Sequence, residues 1–129
     1  MSPKRILVID DEYAIQLVVR GCLEDLAGWN VITASSGREG LAKAQIEHPD
    51  AILLDVMMPE MDGVTLLQQL QSSPDTGSIP VVLLTAKMEF TDFSRLAICG
   101  VVGAIAKPFD SLELVEQIAS FLNWEIART

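Results

Sequence analysis

The sequence predicts a doubly wound α/β fold, five βα units around a parallel five-stranded sheet, in one domain over residues 1–129. Three observations carry that expectation. Four short apolar runs, ILVI, AILL, VVLL and GAIA, are closed by Asp10-Asp11, Asp55, Thr85 and Lys107 respectively. Continuous apolar runs of this length, bounded by polar or turn residues, fit strands buried on both faces. Helical periodicity fills the intervals, and strict strand–helix alternation implies right-handed crossovers and parallel strands. Half of the residues are hydrophobic, as a sheet covered on both sides requires.

The elements follow in order. Strand one is Arg5–Ile9, and Ile15, Val18, Val19, Cys22, Leu23 and Leu26 recur at helical spacing up to a stop at Gly28. Asn30–Ala34 reads as strand two, with Trp29 packed at its entrance. Ser36-x-x-Glu39 is a capping box opening a helix through Leu41, Ala44 and Ile46, which ends at His48-Pro49. Residues 51–54 form strand three, and a turn runs from Pro59 to Gly63. Leu66, Leu67 and Leu70 mark the third helix, which the loop 72–74 ends. Residues 81–84 make strand four; Phe90, Phe93, Leu96 and Ala97 suggest a short fourth helix before Gly100. Val101–Ala106 is strand five. Asp110 and Ser111 offer N-caps for a last helix whose face is Leu112, Val115, Ile118, Ala119 and Leu122. Five units favour the flavodoxin-like strand order 2-1-3-4-5, which sets strands one and three side by side at the switch point where ligands bind.

Composition narrows the function. With 9 basic against 18 acidic residues the net charge is −9, which repels phosphate backbones and argues against direct nucleic-acid binding. Cys22 and Cys99 lack metal-ligand spacing and read as small buried hydrophobes. The single histidine, His48, sits before a proline in a loop, so a histidine base is poorly supported. No stretch approaches the ~20 apolar residues of a membrane span and no signal-peptide core opens the chain, so no membrane insertion and a cytoplasmic location are expected.

The strand ends carry the chemistry. In a parallel sheet they point the same way and bring Asp10, Asp11, Asp55, Thr85 and Lys107 to one edge. Three converging carboxylates repel, and a divalent cation such as Mg²⁺, which takes oxygen ligands and keeps open positions, relieves that repulsion together with Lys107. Such a clamp stabilises charge on a transferring phosphoryl group, and a carboxylate such as Asp55 can itself be the nucleophile. Singly, each residue has a plainer reading: a turn-forming Asp, an N-cap, a surface lysine. Their shared position at one end of the strands outweighs those readings.

At these residues the chain resembles the receiver domains of two-component response regulators. ILVIDDE, LLDVMMPEMDG, VVLLTAK and the KPF of residues 107–109 match the four signature blocks in order, over roughly residues 4 to 123. The resemblance implies that Asp55 is the phosphoacceptor and that Asp10, Asp11, Asp55 and the Met57 backbone carbonyl form the Mg²⁺ set, Asp10 partly through water. It implies that Thr85 bonds the phosphoryl group, that Lys107 pairs with it, and that Lys107–Pro108 is cis. The implied partners are a sensor histidine kinase or phosphotransfer protein and a downstream protein of unspecified kind, with a homodimer through the face of helix four, strand five and helix five. Beyond its own phosphorylation and dephosphorylation the chain is expected to catalyse nothing. The start MSPKRILVIDDE suggests a genuine N-terminus, and the chain reads either as a single-domain regulator or as one domain of a longer protein.

The chain also departs from the pattern. Ala104 occupies the strand-five position where the family usually carries Tyr, Phe or His, and Val101 and Val102 replace an acidic pair. Output is therefore expected through the loop 86–90 and helix four, with an apolar output face. Met57 and Lys87 flank the entry path and are expected to tune hydrolysis. Two other functions compete: a receiver-like interaction module independent of phosphorylation, which Ala104 supports, and a carboxylate-nucleophile phosphatase. The phosphatase's second acid should stand two residues after the nucleophile; position 12 is Glu, and no cap insertion exists.

Overall fold

In the computed structural model, which describes residues 3–55, 63–86 and 100–126, the five expected strands are β1 (Arg5–Ile9), β2 (Asn30–Ala34), β3 (Ala51–Asp55), β4 (Val81–Thr85) and β5 (Val101–Ala106). They pair in parallel in the order β2-β1-β3-β4-β5, as the alternation of elements requires. The central strands β3 and β4 are buried at every position, which is why they read as unbroken apolar runs rather than alternating ones.

Helices α1 (Tyr13–Ala27), α2 (Gly37–Glu47), α3 (Gly63–Ser72) and the C-terminal helix (Ser111–Leu122) cover the sheet. On one face Ile6, Val8, Leu53, Val82, Leu84 and Ile105 pack with Val19 and Leu23 of α1 and with Leu114, Val115 and Ile118. On the other, Leu7, Ile9, Ile52, Leu54 and Leu83 meet Ala44 of α2 and Leu66, Leu67 and Leu70 of α3. Each such fully buried aliphatic side chain contributes about 1.5–3 kcal/mol relative to exposure. The expected fourth helix, with Phe90, Phe93, Leu96, Ala97 and Cys99, lies outside the described residues, as does Pro59.

The local signals act as their chemistry dictates. Gly28 takes a left-handed φ of 75°, and the backbone N–H groups after α1 return to the Glu24 and Leu23 carbonyls. Ser36 caps α2 by accepting from the Glu39 N–H at 3.1 Å, while the Glu39 carboxylate reaches back to the Ser35 N–H rather than that of Ser36. Asp110, not Ser111, caps the C-terminal helix by accepting from the Glu113 N–H at 3.2 Å. Trp29 is buried against the edge of Trp124, ring centroids 5.1 Å apart, and donates its indole N–H to the Glu125 carbonyl at 3.2 Å.

Three helix faces differ from the periodic reading. On α1, Val18 and Leu26 are exposed while Gln16 is buried. Ile46 at the end of α2 is exposed, and on the C-terminal helix Leu114 enters the core while Leu112 faces solvent.

Pairing of β4 with β5 is irregular. Val81 opposes Val101 but Val82 opposes Gly103, so Val102 is an extra residue in β5 without an opposite number. Beyond it the register runs true to Thr85 opposite Ala106, and the Lys107 N–H continues the ladder to the Thr85 carbonyl at 2.9 Å.

Candidate functional site

The carboxyl ends of β1, β3 and β4, with the residue after β5, deliver Asp10, Asp55, Thr85 and Lys107 to one edge of the sheet. Asp10, Asp55 and Thr85 are buried, each at 2% exposure or less. The Lys107 side chain is mostly buried and its Nζ lies 3.2 Å from Asp55 Oδ2 and 3.7 Å from Asp10 Oδ2. The Lys107–Pro108 peptide is cis.

Asp10 is held in detail. Its N–H donates to the Ala34 carbonyl at 3.0 Å, extending the β1–β2 ladder. Its Oδ1 accepts from the Glu12 N–H at 2.9 Å, whereas buried Oδ2 has no hydrogen-bond donor and faces the Lys107 ammonium at 3.7 Å. Burial pushes the Asp10 carboxyl up to about 6; the Glu12 N–H and Lys107 oppose that rise, and the Asp55 and Asp11 charges add to it.

Carboxylate oxygens of Asp10, Asp11, Glu12 and Asp55 all lie within 4.8 Å of one another. Two of these groups are buried and two exposed, so the cluster opens toward solvent on the Asp11–Glu12 side. Hard oxygen donors at such spacing, including one buried oxygen without a hydrogen bond, fit a divalent cation of the Mg²⁺ class. Glu12 was not among the residues expected here; the run Asp10-Asp11-Glu12 was its only signal in the sequence. The Met57 carbonyl and Lys87 lie outside the described residues. Ala86, the small residue after Thr85, is exposed, and Ala104 is buried on the face of β5 that packs with Leu83.

Similarity to known proteins agrees with this geometry. A family described as the response regulator receiver domain matches residues 6–119. The chain is 38% identical over 123 residues, 95% of its length, to the probable transcriptional regulator ycf27 of Cyanophora paradoxa. It is 40% identical over 120 residues to the alkaline phosphatase synthesis transcriptional regulatory protein PhoP of Bacillus subtilis, covering 93% of this chain. The chain spans about half the length of these relatives, 50% and 49%. Its fold matches the chemotaxis response regulator CheY4 of Vibrio cholerae with a TM-score of 0.82 at 31% identity, covering 93% of this chain and 99% of that one. With the parallel sheet, the acidic cluster and the lysine in place, the chain belongs to the response regulator receiver domain family of two-component systems.

Proposed function

We propose that this chain is a phosphorylation-dependent switch in which Asp55 accepts a phosphoryl group from a phosphohistidine on a kinase or phosphotransfer protein. The observation that supports this most directly is the Lys107 ammonium 3.2 Å from Asp55 Oδ2, beside an acidic cluster that fits a cation. An Asp55 oxygen attacks phosphorus, an O–P bond forms as the P–N bond breaks, and the departing imidazole takes its proton from solvent. Lys107 neutralises charge that gathers on the phosphoryl oxygens, and the hydroxyl of Thr85, at the end of the neighbouring strand, donates to one of them. Asp10, Asp11, Glu12 and Asp55 would hold Mg²⁺, which supplies a positive charge to the same oxygens when bound.

The added group brings about −1.5 to −2 charges and three acceptors. Thr85 and Lys107 follow that charge and carry the change into β4 and β5, toward the face used by a downstream protein or a second copy of the chain. Ala104 supports a second reading, an interaction module whose output ignores phosphorylation, since a methyl group cannot swing as a ring can. Several relatives are named as transcriptional regulators; at a net charge of −9, this chain's own part in such a protein is the switch rather than contact with nucleic acid. The reading includes a cytoplasmic location and no turnover of outside substrates; among the described residues no helix is long and apolar enough to cross a membrane.

Incubation with acetyl phosphate and Mg²⁺, followed by intact mass, tests the proposal. One phosphoryl group should be added to the wild type, with none on Asp55→Asn and none when the metal is chelated. An unmodified wild type would favour the second reading.

A further inference from the structure

Among the described residues, two buried polar side chains stand outside the site chemistry, Thr76 and Gln16, and Gln16 is the one that bonds to a site residue. It stands on the first turn of α1 at 4% exposure, in the stripe where the sequence pattern calls for an apolar residue. Its carboxamide nitrogen donates to the Asp10 carbonyl at 2.6 Å and to Ser35 Oγ at 3.1 Å, with the Ala34 carbonyl at 3.3 Å. Two N–H groups thus meet three acceptors, the last residue of β2 and the residues that directly follow β1 and β2. A buried amide is retained at such a place only if its bonds are made, because each unmade one costs about 1–3 kcal/mol.

The geometry of Asp10 shows what these bonds accomplish. Its N–H is fixed by Ala34, its Oδ1 by the Glu12 N–H and its C=O by Gln16. Pinned at both ends of its backbone, Asp10 has little freedom to turn its repelled carboxylate out to water. Oδ2 stays without a hydrogen-bond donor, within the acidic cluster. We infer that Gln16 is a positioning residue for cation binding, clamping the β1 and β2 loops so that Asp10 is presented to the metal although its charge is unfavourable there. The inference rests on the switch reading above, and Gln16 itself touches neither metal nor phosphoryl group.

Calorimetric titration of Mg²⁺ into the full chain tests it, with Gln16→Met as an apolar side chain of similar length. Loss of an outer-shell partner typically weakens metal affinity by about 10- to 100-fold, and the lower end is expected for a bond to backbone. Val19→Ala, which removes core packing one turn along α1, serves as the control: its urea midpoint should fall while its Mg²⁺ Kd stays at the wild-type value. If Gln16→Met binds Mg²⁺ as the wild type does, the inference is overturned while the switch stands. A wild type that binds no Mg²⁺ overturns both. Should Gln16→Met fail to fold, hydrogen exchange on the wild type decides: the Gln16 carboxamide protons must exchange as slowly as strand amides, and rapid exchange sinks the idea.

Discussion

At Asp10 the fold keeps a carboxyl group out of water beside three further acids, with Lys107 as the opposing charge. Its pKa of about 6 in the folded chain lies above the ordinary 3.8, so the folded state holds the proton more tightly than the unfolded one. The stability linked to that proton is fully present below about pH 4 and is lost as pH rises through 6. The metal-free protein should therefore lose part of its urea resistance between pH 4 and pH 7. Asp10→Asn should abolish that part and stabilise the metal-free chain at pH 7 by about 1–3 kcal/mol, while weakening Mg²⁺ binding. Urea midpoints of both proteins at the two pH values check this, and equal pH slopes would refute it. That Asp10, Asp11, Asp55, Thr85 and Lys107 gather at the sheet edge was readable from sequence, because the strands that deliver them end in an abrupt change from apolar to polar; Glu12 carried no such mark. Gln16 was not, since a periodic reading scores glutamine as surface and cannot see the two backbone carbonyls that satisfy it.

At the scale of elements, the helices differ in how closely they approach the sheet. On α2, a methyl group added at Gly40 would meet the Ile9 side chain at 2.5 Å, so the helix rests on β1 with no space between. On α1, a methyl at Gly21 would meet nothing within 4 Å. Replacing a helical glycine by alanine gains about 1 kcal/mol of helix propensity, but overpacking a filled core costs typically about 1–3 kcal/mol. Gly21→Ala should accordingly stabilise the protein by about 0.5–1 kcal/mol. Gly40→Ala should destabilise it by about 1–2 kcal/mol, because Ile9 is fully buried and has nowhere to retreat. Thermal or urea unfolding of the pair reads both signs. Neighbouring elements also decide where periodicity misassigned a face. Val18 and Leu26 belong to a plausible stripe, yet the contact of α1 with both β2 and the C-terminal helix turns that stripe partly outward.

Across the whole molecule, chemistry and tryptophans lie at opposite ends of the sheet. Asp10 follows the last residue of β1, whereas Trp29 precedes the first residue of β2, and Trp124 and Lys4 lie beside it. Five residues of strand separate the two ends by about 17 Å. Tryptophan emission should thus stay nearly unchanged when Mg²⁺ or a phosphoryl mimic binds and should report unfolding alone. A large emission change on adding the ligand would mean that the switch reaches the far end. The overall topology was legible because buried parallel strands impose their length and their apolar character directly on the sequence. The Trp29–Trp124 contact and the bond to Glu125 were not, since they join residues that only the closed fold brings together.

One residue of surplus length in β5 has a consequence for that topology. Five residues of β4 run beside six of β5, and Val102 absorbs the difference. It works as a phase shifter: the strand enters with one assignment of faces and leaves with the other, so that Val101 and Ala104, three apart, join the same core while Ile105 joins the opposite one. A strand of matched length would hand the chain on in the opposite phase, and the ammonium of Lys107 would emerge away from Asp55. The spacing between Gly100 and the lysine is thus a timing device, and a conservative change anywhere in β5 disturbs the site less than a change in its length.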